Sequence, residues 1–245
     1  MPSDPLAPLL DLADVRPALD QARAAVDAAM RHRALRRSGG PVAAEVALRT
    51  SVASAALDTH GFDLEGVRAG VVTDPVVHGA LRVTAALDGL TGTWPKAPRQ
   101  VLAKLHTLAA RDVLGPGELG RPVAAGVVPR LDALAALVAG GTSVPVLLQA
   151  AVVHGELLAL KAFAGPNGVV ARAAARLTLL AGGLDPRGLL AMDVGHRSRE
   201  PEYVGSAGAF ATGTPDGIRS WLRHYAAAAE RAAEELVEIC EKAAA

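Results

Sequence analysis

The sequence predicts a mainly α-helical fold, a single helical domain over 1–245 with a central buried helix and at most one short β-hairpin. Three observations predict it. Hydrophobic residues make up 51% of the 245 residues and aromatics only 3%, so the apolar content is mostly Ala, Leu and Val. Ala and Leu favour helices, and Ala lets helices approach closely. Apolar residues recur at helical spacing, and Gly/Pro-rich breaks at 38–41, 89–98 and 115–122 separate the segments.

Taken in order, Leu19, Ala22, Val26 and Met30 share one face of a helix within 11–36. The basic run Arg31, Arg33, Arg36 and Arg37 follows, where a helix dipole favours positive charge. Further helices are expected over 41–58, near 63–70, from Thr73–Asp74–Pro75 through Leu87, and over 99–111. VAAGVV at 123–128 has the look of a hairpin arm. Thr142 and Ser143 are suitable N-caps, with Pro145 in the first turn of a helix reaching Leu160. That helix is apolar on nearly every face, so it belongs in the middle of the fold. The next helix starts at about Gly168 and stops at Gly182 and Gly183. RSREPEY at 197–203 suits an exposed polar loop. The last helix spans about 215–242, with Trp221, Tyr225, Ala229, Ala232, Leu236 and Ile239 as its packing stripe.

Composition excludes several function classes. Lys+Arg is 25 and Asp+Glu is 25, a formal net charge of zero, which argues against a nucleic-acid binder. The single cysteine, Cys240, forms no internal disulfide and suits a packing position. MPSDPLAPLLDLADVR has no basic region before its apolar run, unlike a secretory signal. No apolar stretch runs uninterrupted for the roughly 18–20 residues of a membrane span. A cytoplasmic protein with no membrane partner is expected. The seven histidines never fall in HxxH or HxxxH pairs, so no metal site is predicted.

The candidate chemistry lies in KAFAGPNGVVAR, 161–172, a Gly/Pro/Asn loop between two helices. Asn167 and Gly168 precede a helix, where backbone N–H groups attract an anion. Arg172 stands one turn inside, Arg176 shares its face, and Lys161 ends the preceding helix. The same residues also describe a plain helix–loop–helix turn.

The spacing resembles the Fic (Fido-domain) signature HxFx(D/E)GNGRxxR, laid without a gap from Lys161 to Arg172. Phe163, Asn167, Gly168 and Arg172 match. AAVVHGELLAL resembles the family's central helix, and LHTLAARDVLGPGEL its helix and turn before a target-binding flap, here near 117–130. SVASAALDT resembles its inhibitory-helix motif, and GTPDGIRSWLRHYAAAAE its closing helix. The resemblance implies an N-terminal helical part over about 1–94 and a Fic-like core over about 95–245. It also implies a nucleotide such as ATP, transfer of AMP to a protein hydroxyl, and Lys161, Phe163, Asn167, Gly168 and Arg172 as the ligand contacts.

Four departures bear on that activity. Lys161 replaces the general-base histidine, and a lysine, with a reference pKa of about 10.4, is a cation at neutral pH. Gly165 replaces the acidic residue that holds Mg²⁺ in the family, so that mode of magnesium binding is not expected. Pro166 removes an N–H donor, and Val169 replaces the first Arg. Asp58 stands at the inhibitory glutamate position, and its pairing with Arg172 is expected either as a regulatory contact that covers the site or as a structural ion pair. Loss of the base alone costs about 10²–10⁴ in rate.

Three readings follow. The first is a catalytically degenerate Fic-fold protein that binds a nucleotide, another anion or a protein. The second is a transferase of altered chemistry using Lys161 and Arg172 on phosphate, its base coming from His154 or His196. The third is a helical scaffold with no ligand. The sequence leaves homo-oligomerisation open.

Overall fold

A computed structural model of the chain describes residues 4–244. Eleven α-helices are seen among them: α1 Val15–Ala29, α2 Gly39–Asp58, α3 Leu64–Arg68, α4 Pro75–Leu90, α5 Pro98–Ala110, α6 Val128–Val138, α7 Val146–Leu160, α8 Asn167–Ala181, α9 Met192–Arg197, α10 Glu200–Ala211 and α11 Pro215–Ala244. No described residue is in a strand. Among the described residues no helix is long and apolar enough to cross a membrane.

Local chemistry explains several helix starts. The Asp74 carboxylate accepts the N–H groups of Val76 at 2.8 Å and Val77 at 3.2 Å, capping α4. Asp63 does the same for α3 through Glu65 and Gly66. In α11, Trp221, Tyr225, Ala229, Ala232, Leu236 and Ile239 are all buried, as their spacing predicts, and the helix packs on α1, α9 and α10.

The centre of the molecule is the α7–α8 pair. α7 is buried over most of its length, as its all-round apolar sequence predicts. α8 is more enclosed still, with every residue from Gly168 to Leu180 buried. One apolar cluster gathers α1, α7, α10 and α11 around Trp221, whose indole N–H donates to Ala151 O at 2.8 Å. A second gathers α4, α5, α6 and α8 around Trp94, whose indole donates to Thr178 Oγ1 at 3.1 Å. Both indole donors are satisfied, so neither ring carries the cost of a buried orphan.

Four expectations are corrected. Residues 123–128 form no hairpin arm: a 3₁₀ turn at Ala125–Val127 runs into α6, whose first turn holds Pro129. That helix was not foreseen at all. Thr142 and Ser143 do not cap α7. Pro145 occupies its N-cap, and both residues instead bind Asp4, Thr142 Oγ1 donating to Oδ1 at 2.8 Å and Ser143 N to Oδ2 at 2.6 Å. Residues 197–203 are not one loop: α9 ends at Arg197, an exposed two-residue turn at 198–199 follows, and α10 begins at Glu200, with Arg197–Glu200 and Arg199–Glu202 ion pairs across the joint. His196 therefore lies on α9, buried, and not in a loop.

Candidate functional site

The joint between α7 and α8 puts the candidate residues into one cleft of about 520 Å³, lined by Asp58, Val113, Lys161, Gly168, Arg172 and Tyr203 among others. Lys161 caps α7 in the left-handed region, φ 45°, and its side chain is exposed. Gly165 turns the loop with φ 67°. Pro166 is the N-cap residue of α8.

Asn167 works on the loop itself. Its Oδ1 accepts the Phe163 N–H at 3.0 Å, and its Nδ2 donates to Phe163 O and to Gly165 O. Phe163 is buried in the second apolar cluster, stacked on the His106 ring with centroids 4.7 Å apart. Phe163 and Asn167 thus shape the loop, and Asn167 also lines the cleft beside Gly168 and Arg172.

Asp58, the last residue of α2, reaches into the α8 N-terminus. Its Oδ2 accepts the Val169 N–H at 3.1 Å, and its Oδ1 accepts from Arg172 Nη2 at 2.6 Å. The carboxylate therefore sits on one backbone donor at the positive end of α8 and on the guanidinium together. Gly168 makes room for it: a Cβ there would lie 1.9 Å from Asp58 Oδ1.

Arg172 is only 2% exposed and is held on all sides. Nε donates to Ser54 Oγ at 3.0 Å, Nη2 also to Ser54 O at 2.7 Å, and Nη1 to Tyr203 OH at 3.1 Å. Asp193 Oδ1 lies 3.2 Å from Nε. Burial opposes the charge, but Asp58, Tyr203 and Asp193 more than offset it and keep the guanidinium protonated. Arg176 does not join the site; its Nη1 donates to Thr84 Oγ1 on α4 at 3.3 Å.

Beneath Arg172 lies a buried group of rings. His154 Nε2 is 3.1 Å from Tyr203 OH, and His196 Nδ1 is 3.1 Å from His224 Nε2. Burial holds His154 and His196 well below the ordinary histidine range, helped by neighbouring histidines and Arg172. Burial also brings His224 down to about 4 and raises Tyr203 to about 12. His154 Nδ1, His196 Nε2, His224 Nδ1, Asp193 Oδ2 and Tyr225 OH have no hydrogen-bond partner among the described residues. His154 thus faces the cleft only through Tyr203.

Sequence reasoning brought Asp58, Lys161, Gly168 and Arg172 to one place. It missed Ser54, Asp193 and Tyr203, all of which touch Arg172. Residues fit magnesium poorly here. Gly165 offers no side-chain ligand atom, its carbonyl oxygen already accepts from Asn167, and both Asp58 oxygens already face donors.

An all-helical fold in which the Asp58 carboxylate meets the start of the most enclosed helix and Arg172 is the class this chain defines. Its solved neighbours are Fic proteins, and the chain has the Fic fold. It is similar to a Fic family protein from Desulfovibrio desulfuricans G20, with TM-score 0.72, 21% identity, 91% of this chain and 74% of that one covered. It is similar also to Fic-1 from C. elegans, with TM-score 0.71, 18% identity, 95% and 74% covered. No family model matches the sequence, and no curated protein does.

Proposed function

We propose that this chain is a catalytically degenerate Fic-fold protein. In this reading it binds a nucleotide or another anion, or a protein partner, without ordinary AMP transfer. The observation that carries the reading is the carboxylate of Asp58 lying on both Val169 N–H and Arg172. A phosphate entering the cleft must displace it. Lys161, Phe163, Asn167, Gly168 and Arg172 form or support the contact surface, and Asp58 regulates access. The absent histidine and acidic side chain remove the proton acceptor and the metal ligand. A protein target would approach the turn-rich segment near 117–130.

A second reading is transfer of altered chemistry. Lys161 and Arg172 line the same cleft and could both meet a phosphate. His154 is fully buried behind Tyr203, so a base would have to act through that hydroxyl.

Calorimetric titration with ATP, with and without Mg²⁺, on the wild type and on Asp58→Ala tests the reading. Labelled-nucleotide transfer is measured alongside. Weak binding by the wild type, tighter binding by Asp58→Ala, indifference to Mg²⁺ and no transfer are expected. Transfer that disappears in Lys161→Ala would establish the second reading. Absence of binding by either form would leave the protein-partner branch alone.

A further inference from the structure

His106 lies on α5, fully buried, and each ring nitrogen meets the backbone of a different segment. Gly120 N donates to Nδ1 at 2.9 Å, and Nε2 lies 2.8 Å from Ala164 O. An amide can only donate and a carbonyl can only accept. The two bonds together therefore require a neutral ring with its proton on Nε2. The turn at 115–122 and the 161–166 loop are thus held to α5 by one side chain. Val123 N donates to Ala162 O at 2.9 Å and joins the two directly.

Gly120 is seated closely. Its φ is 70°, and a Cβ there would lie 3.1 Å from Ala103 O and 3.2 Å from Thr107 Oγ1. The His106–Gly120 bond is therefore part of a tight contact of the turn with α5.

We propose that His106 is a positioning residue and a proton-operated latch, setting the 115–122 turn against the loop of the candidate site. The inference does not depend on which ligand the cleft takes. A proton added to Nδ1 turns the acceptor into a donor that faces the Gly120 N–H. That bond cannot persist, whereas the Nε2 bond to Ala164 can. Acid thus releases the turn while the loop stays attached.

The surroundings set the direction. Burial pushes the ring below the ordinary histidine value, partly opposed by the Ala164 bond and by Glu118 in the turn. The other charges on the joined segments, Lys104, Arg121 and Lys161, are exposed. On the packed helices, Arg82 of α4 is engaged by Leu108 O and Asp112, Arg172 and Arg176 of α8 by Asp58 and Thr84, and Asp132 of α6 by Arg99; Arg130 of α6 pairs with Glu156. The latch is closed above the ordinary histidine range, about 6.5, and opens as pH falls below it.

The test is NMR of the full chain between pH 8 and pH 5. It follows the His106 ring nitrogens and the amide protection of Gly120, corrected for intrinsic exchange, with the Leu105 amide as reference. At pH 8 the ring should carry its proton on Nε2. As the ring titrates, Gly120 protection should fall about tenfold per pH unit while Leu105 stays protected. In His106→Asn the amide oxygen replaces Nδ1 as acceptor and cannot gain a proton, so Gly120 protection should be flat. In His106→Gln it should be low throughout. A wild-type Gly120 that ignores ring titration, an equal pH response in His106→Asn, or Leu105 losing protection together with Gly120 would overturn the proposal.

Discussion

Arg172 and Tyr203 meet at 3.1 Å, with the guanidinium donating to the phenol oxygen in a part of the protein where both side chains are buried. The phenol in turn faces His154 Nε2 at 3.1 Å. The hydroxyl can thus accept from one partner and donate to the other, and each neighbour depends on it.

That dependence predicts a contrast between two tyrosines. Tyr203→Phe leaves Arg172 Nη1 and His154 Nε2 without their partner, and should cost about 1–3 kcal/mol. Tyr225→Phe removes a hydroxyl that has no partner among the described residues. It should leave stability unchanged or raise it slightly. Urea unfolding of the two variants measures the difference.

Arg172 neutralises a carboxylate on each side. Arg172→Met strands Asp193, which is 1% exposed, and deprives Asp58 of its ion pair. A loss of about 3–5 kcal/mol is expected in the same unfolding experiment. Asp58→Asn should cost less, because Asp193 and Tyr203 still face the guanidinium.

Gly168→Ala places a methyl on the Asp58 carboxylate and should cost about 1–3 kcal/mol. In the Asp58→Ala background the same change should cost much less. A double-mutant cycle reads the coupling, and additive costs would show that the contact is not tight.

Acid should weaken the fold through the buried histidines. His154, His196 and His224 all titrate below their unfolded value of about 6.5. The unfolded chain therefore binds more protons than the folded one as pH falls below that value. Stability contributed by the neutral rings is complete above about 6.5 and declines by about 1.4 kcal/mol per pH unit for each ring, until its folded pKa is passed. For His224 the decline ends near 4. Chemical denaturation across pH 8 to 4, with His224→Gln for comparison, checks the slope.

Long amphipathic or all-apolar segments were legible because their signal is summed over many residues. The α11 stripe and the enclosed α7 both appear as their spacing requires. Short elements failed where one strong cue was outweighed. Val127 and Val128 suggested a strand, yet Pro129 marks the first turn of α6. Arg199 and Glu202 looked like a solvated loop, although their spacing is that of a helical ion pair. That misreading hid Tyr203, which the α10 helix turns inward. In the site, Asp58 and Arg172 were paired through the resemblance alone. Asp193 and Ser54 could not be paired with Arg172 from sequence, because only the packing of α2 against α8, and of α9 against α2, brings them to it.

The close approach of Asp58 to Gly168 also constrains evolutionary drift. Any lineage that acquires a side chain there must first shorten or retract the acidic group at 58, so substitutions at the two positions should arise together among orthologues. A glycine kept in such a signature can owe its persistence to an intramolecular neighbour, with no bound molecule exerting selection.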